Sequence, residues 1–175
     1  TLHTALVTLL YRYSGQEDIV IGAPIANRNH AETEPLIGLF ANFLLLRADL
    51  SGNPSFRALL HDNRARLLAA YAHQDVPFEQ LVDRLGVPRN QSHTPLFQIV
   101  FSTNNDYGIS GSNDVIALND VEISPYQSDS VQEKFDLSIV INISEKGASL
   151  SWSYDVHLFD KQLIETLNAH LCRLL

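Results

Sequence analysis

The chain has no methionine, a single cysteine at Cys172, and no excess of positive charge. One cysteine cannot close an intrachain disulfide, which suits a reducing compartment. The formal net charge is −8 and the pI about 5.2. That balance argues against nucleic acid, whose phosphates require a basic surface, and gives no support for an anionic membrane. No apolar run approaches the roughly 18 residues of a membrane span. No basic segment followed by an apolar core opens the chain as a secretion signal would. The expectation is a cytoplasmic protein with neither membrane nor nucleic acid among its partners.

Other absences narrow the chemistry. No histidine pair shows His-Glu-x-x-His or His-x-His spacing, and one cysteine cannot begin a zinc cluster, so no metal site is expected. The eight glycines are scattered at turns, and none forms a phosphate-cradling loop. No serine or cysteine sits in a recognisable nucleophile elbow.

What is present is an ordinary globular composition, 45% hydrophobic and 18% charged over 175 residues. That length makes one domain or one lobe of a larger one. Both ends fall inside apolar helical patterns, so the chain reads as cut from a longer polypeptide. Leu2, Leu6, Leu9, Leu10 and Tyr13 share helical spacing, and Ser14-Gly15 ends that helix. Asp18 to Gly22 reads as a buried strand, 23–35 as a polar loop, and Leu39 to Leu46 as a second buried strand. A helix over about 54–72 carries a stripe of Phe56, Leu59, Leu60, Leu67 and Tyr71. Phe78, Leu81, Val82 and Leu85 mark a short helix stopped at Gly86-Val87-Pro88. Leu96 to Phe101, Phe135 to Ile141 and Leu150 to Tyr154 read as strands, the last two joined through Glu145-Lys146-Gly147. Residues 159–175 form a closing helix. Between them, 104–134 is rich in Asn, Asp, Ser and Gly and too long for an ordinary loop. The pattern predicts an α/β lobe with helices packed on a sheet.

The segment His73-Gln74-Asp75-Val76-Pro77-Phe78-Glu79 joins two helices through a polar trio and a proline. Asp75 precedes a proline suited to a helix's first turn, so its carboxylate could meet free N–H groups and the positive dipole end. The competing reading makes His73 or Asp75 a proton-transfer group in a cleft. Asn42 lies in an apolar run, where a buried amide must find partners. It either braces backbone or lines a channel. Arg57 and Arg64 share one helix face, as a solvated surface or as a docking patch for an acidic partner.

Four stretches, in order, resemble one family. They are Ser14 to Arg28, Ile37-Gly38-Leu39-Phe40-Ala41-Asn42 on to Arg47, His73 to Val82, and Arg89 to Gln98 with its Pro95-Leu96-Phe97-Gln98. Lys134-Phe135-Asp136-Leu137 and Leu158-Phe159-Asp160 also fit. These motifs resemble the condensation domains of nonribosomal peptide synthetases, across essentially the whole chain. Their catalytic His-His-x-x-x-Asp-Gly motif, which belongs to the N-terminal lobe, is absent from these residues, and Ala41 and Phe43 replace the commoner Val and Thr.

The resemblance implies a chloramphenicol acetyltransferase-like α/β lobe, with helices packed on a mixed β-sheet. Residues 1–175 would be the C-terminal lobe, and 104–134 a latch reaching the N-terminal lobe. Donor and acceptor peptidyl carrier proteins would deliver phosphopantetheine-tethered substrates to a tunnel between lobes, with no cofactor bound directly. Asn42, His73, Gln74 and Asp75 become tunnel or motif candidates, and Arg57 and Arg64 carrier-docking candidates. No catalytic residue is expected here, and the fragment alone should be inactive. The alternative is a non-catalytic relative that recruits partner enzymes. An epimerising relative fits the Pro-Phe-Glu-Gln-Leu-Val and Pro-Leu-Phe-Gln stretches less well.

Overall fold

A computed structural model describes residues 1–88, 93–105, 133–145 and 147–175. Its elements run α1 (Leu2–Ser14), β1 (Asp18–Ile25), β2 (Asn42–Asp49), α2 (Phe56–Ala72), α3 (Phe78–Leu85), β3 (Ile99–Asn105), β4 (Leu137–Ser144), β5 (Gly147–Tyr154) and α4 (Lys161–Leu174). A 3-10 turn at Ala31–Thr33 interrupts the loop after β1.

Five strands form one mixed sheet in the order β2-β1-β3-β4-β5. β1 pairs antiparallel with β2 from Asp18↔Asp49 to Ile25↔Asn42. It meets β3 in parallel at Gly22↔Val100. β3 runs parallel to β4, and β4 turns back into β5 as an antiparallel hairpin. This is the sheet with packed helices that the sequence pattern implied, and it is mixed, as the resemblance implied.

Local chemistry explains the ends of the helices. Gly15 closes α1 and Gly86 closes α3, each in the left-handed conformation that glycine adopts without steric penalty. The Ser55 hydroxyl accepts from the Ala58 N–H to start α2, and the Asp160 carboxylate accepts from the Leu163 N–H to start α4.

Side-chain alternation then divides the sheet into two faces. Ile19, Ile21, Ala48, Phe101, Leu137, Ile139 and Ile141 join Leu6 and Leu9 of α1, Leu59 of α2, and Ile164, Leu167 and Leu171 of α4 in the main core. Phe43, one residue out of phase with Leu44 and Leu46, points to the opposite face, where Phe78 of α3 meets it.

Several boundaries differ from the sequence reading. β1 runs through Ala23 and Pro24 to Ile25 rather than stopping at Gly22. Pro24 lies past the Gly22↔Val100 register position, in a stretch tied to β2 alone, where a missing N–H is tolerated. The second strand starts at Asn42, not Leu39, and leaves Leu36, Ile37 and Leu39 exposed on the preceding loop. The third strand begins at Ile99, because Leu96 turns the chain with φ +72°. It continues through Asn105, so residues 104 and 105 belong to a strand rather than an excursion. The remainder of the expected latch lies almost entirely outside the described residues, as does Lys146 of the hairpin turn. On α2 the expected stripe is only partly realised: Leu59 is buried, while Phe56 and Tyr71 are exposed.

Candidate functional site

The His73–Phe78 junction between α2 and α3 is held by one side chain from β2. Asn42 Nδ2 donates to the carbonyls of Gln74 at 2.9 Å and Val76 at 2.8 Å. Its Oδ1 accepts from the Phe78 N–H at 3.1 Å. One amide therefore fixes three backbone groups across five residues of the turn. This supplies the partners that an amide in an apolar strand requires.

The arrangement corrects the capping role weighed for Asp75. The N-cap of α3 is Pro77, which has no capping side chain, and the Phe78 N–H takes its acceptor from Asn42. A residue 36 positions away occupies the site that local capping rules give to the nearest carboxylate. Asp75 instead accepts from Asn29 Nδ2 at 3.2 Å. That contact ties the junction to the loop after β1.

The same loop is organised around Arg28. Its guanidinium donates to the Thr33 carbonyl and, at 3.3 Å, to the Glu34 carbonyl. It also lies 4.2 Å from the centre of the Phe40 ring, a cation–π contact. Arg28 and Asn29 thus link the first motif to the second and third.

Beneath the junction, four phenylalanines from separate segments pack together. Phe43 meets Phe78, Phe97 and Phe135 with ring centres 6.3, 5.4 and 5.6 Å apart, and Phe97 meets Phe78 and Phe135 at 5.5 and 5.6 Å. Such tilted and edge-on pairs add to simple area burial. Phe97 reaches its place because Gly22 has no side chain. A Cβ at Gly22 would lie 2.3 Å from the Phe97 ring. The sequence reading missed this cluster, although strand alternation places Gly22 and Phe43 on the same face.

The candidate residues fall into two groups. Asn42 is joined to Gln74 by a hydrogen bond at the junction, Asp75 beside them is held by Asn29, and His73 adjoins them as the C-cap of α2 with an exposed side chain. Gln74 contributes its carbonyl. No hydrogen bond pairs His73 with Asp75 among the described residues, so these groups do not form a base and its orienting partner. Arg57 and Arg64 stand apart on the exposed side of α2. Among the described residues no cluster of three or more His, Cys, Asp or Glu could hold a metal ion. No described helix is long and apolar enough to cross a membrane. The first and last of the four motifs differ in what is visible, since Arg89 to Ser92 lie outside the described residues.

The sheet order, with α1, α2 and α4 on one face and α3 against Phe43 on the other, defines a chloramphenicol acetyltransferase-like α/β fold. The family model for the condensation domain matches residues 1–175, and the chain belongs to that family. It is 42% identical over 165 residues to malpinin synthetase of Mortierella alpina, covering 94% of this chain and 2% of that protein. It is 40% identical over 174 residues to tyrocidine synthase 3 of Brevibacillus parabrevis, covering 99% of this chain and 3% of that protein. The X-domain from teicoplanin biosynthesis superposes with a TM-score of 0.85 at 27% identity, over 99% of this chain and 39% of that one. The chain therefore spans a small fraction of the curated relatives it matches.

Proposed function

We propose that these residues form the C-terminal lobe of a condensation domain that makes amide bonds in nonribosomal peptide synthesis. The observation that carries this reading is the family match over residues 1–175 together with the intact, hydrogen-bonded His73–Glu79 junction. In the reaction, the amine of a tethered acceptor attacks the thioester carbonyl of a tethered donor. A C–N bond forms, the C–S bond breaks, the donor arm leaves as a thiol, and the amine loses a proton. Carrier proteins deliver both substrates on phosphopantetheine arms, so this lobe needs no resident cofactor.

This lobe contributes shape rather than a proton-transfer group. The Asn42 brace fixes the junction, and the phenylalanine cluster fixes α3 against the sheet. The N-terminal lobe of the same domain supplies the His-His-x-x-x-Asp-Gly motif. Exposed Leu36, Ile37 and Leu39 fit contact with that lobe, since adjacent apolar side chains in water favour burial against a partner. The expected latch, less Asn104 and Asn105 of β3, is the second point of contact in this reading. Asn42, His73, Gln74 and Asp75 belong to the wall facing the tunnel, and Arg57 and Arg64 to a surface that meets an acidic carrier protein.

The test is amide formation by the parent polypeptide with two loaded carrier proteins, read by mass spectrometry of the tethered product. A product of donor plus acceptor mass supports the reading, and its absence with correctly loaded carriers contradicts it. Charge reversal at Arg57 and Arg64 should weaken carrier binding, and an unchanged affinity removes them from the docking surface.

One observation favours a second reading. An X-domain from teicoplanin biosynthesis, 25% identical with a TM-score of 0.80, is known in complex with OxyB. A role in recruiting a partner enzyme, without condensation, would then apply. A degraded His-His-x-x-x-Asp-Gly motif in the adjoining lobe selects it over amide formation.

A further inference from the structure

A second region, a turn or more back along α2 from the junction, holds buried polar atoms without partners. His3 on α1 is 6% exposed and Asn63 on α2 is 1% exposed. Neither ring nitrogen of His3 reaches a partner at good hydrogen-bond geometry, the Leu46 carbonyl being the nearest, and neither does Asn63 Oδ1. Asn63 Nδ2 is engaged, donating to Thr4 Oγ1 at 3.3 Å. Leaving a buried acceptor or donor unpaired is costly, and native folds keep few.

Both side chains line one cavity of about 210 Å³ between α1, β2 and α2. A cavity of roughly 150 Å³ already admits a benzene-sized ligand. Leu45, Leu46, Leu67 and Ala69 complete apolar walls, and Arg47 and Arg66 stand beside them. The arginines are engaged elsewhere. Arg47 pairs with both oxygens of Asp18 at 2.8 Å, and Arg66 pairs with Asp62 at 2.6 Å. Those carboxylates already offset much of the positive charge beside the cavity. Burial holds the His3 ring down at about 4, against an opposing pull from the Leu46 backbone carbonyl, so it carries no charge at neutral pH. A neutral imidazole offers one N–H donor and one acceptor, and Asn63 Oδ1 offers an acceptor.

We propose that this cavity binds a small uncharged molecule that joins a primary amide to a short branched apolar group. The amide N–H donates to Asn63 Oδ1, its carbonyl accepts from the His3 ring N–H, and the apolar group lies against Leu46 and Leu67. This site is independent of amide-bond formation and of the wall carrying Asn42. It stands or falls separately from the condensation reading.

Ligand-observed saturation-transfer NMR on the parent polypeptide tests it, with isobutyramide as the probe and isobutyrate as its charged isostere. Saturation transfer to the isobutyramide methyls, with none to isobutyrate at equal concentration, is the expected result. Ala69→Trp fills the cavity from an exposed position and should reduce the signal to that of a protein-free sample. Asn63→Leu should weaken it, and circular dichroism checks that each variant folds. If Asn63→Leu does not fold, Ala69→Trp carries the test alone. Absence of transfer to isobutyramide, as when water or another segment fills the cavity, overturns the proposal. So does equal transfer to both probes, or a signal that Ala69→Trp leaves unchanged.

Discussion

Replacing Asn42 tests the brace at the junction. Asn42→Ala removes three hydrogen bonds, two given to the Gln74 and Val76 carbonyls and one taken from the Phe78 N–H. Each is worth about 0.5–1.5 kcal/mol net. Asn42 is only part-buried, so water recovers some of that loss, and the expected destabilisation is about 2–3 kcal/mol. Asn42→Asp separates the contributions. It keeps an acceptor for Phe78 at the positive end of α3, but sets a carboxylate oxygen against two carbonyls. At neutral pH it should destabilise at least as much as Asn42→Ala. It should partly recover in acid, where a protonated carboxyl can again donate. Urea unfolding followed by fluorescence of Trp152, the one tryptophan of the chain, gives the global number. Hydrogen exchange at the Phe78 amide gives the local one. A loss of about 2 kcal/mol corresponds to roughly thirtyfold faster exchange. Wild-type stability in Asn42→Asp, or unchanged exchange at Phe78 in Asn42→Ala, would refute the brace.

Other outcomes follow from the same geometry. Gly22→Ala places a methyl 2.3 Å from the Phe97 ring, and overpacking of this kind should cost about 1–3 kcal/mol in the urea midpoint. A paired Phe97→Leu change should recover part of that loss, and no recovery would separate the two residues. His3 gives a pH dependence whose sign is fixed. Its folded value of about 4 lies below the ordinary 6.5, so the unfolded chain takes up the proton first. Stability should fall by up to about 3 kcal/mol as pH drops from 6.5 to 4, with no further loss from this group below 4. His3→Phe should flatten that window in unfolding curves measured across it, and an unchanged slope would assign the dependence to other groups.

Much of the fold was legible because it is written in local signals. Gly15 and Gly86 end α1 and α3 where the sequence places them, and the β4–β5 hairpin follows from alternation on either side of Gly147. Errors arose where tertiary contacts override a local pattern. The apolar letters of Leu39 to Ala41 extend the run that begins β2, yet the β1–β2 pairing ends at Asn42. Phe56 and Tyr71 repeat at helical spacing, but α2 buries little beyond Leu59 and Asn63. The junction shows the same limit. Its residues could be singled out, and Asn42 could be seen to need partners. That the partners are the carbonyls of Gln74 and Val76 depends on how β2 meets the α2–α3 turn, more than 30 residues along the chain. His3 carried no motif at all, and its interest comes only from the cavity that α1, β2 and α2 enclose.

The central claim is that this lobe shapes a condensation site whose reacting group lies in the adjoining lobe. It is tested most directly by supplying loaded donor and acceptor carrier proteins to residues 1–175 alone and to the parent polypeptide, and measuring tethered amide product by mass spectrometry. The account predicts product from the parent and none from residues 1–175. Amide formation by the 175-residue chain alone would contradict it.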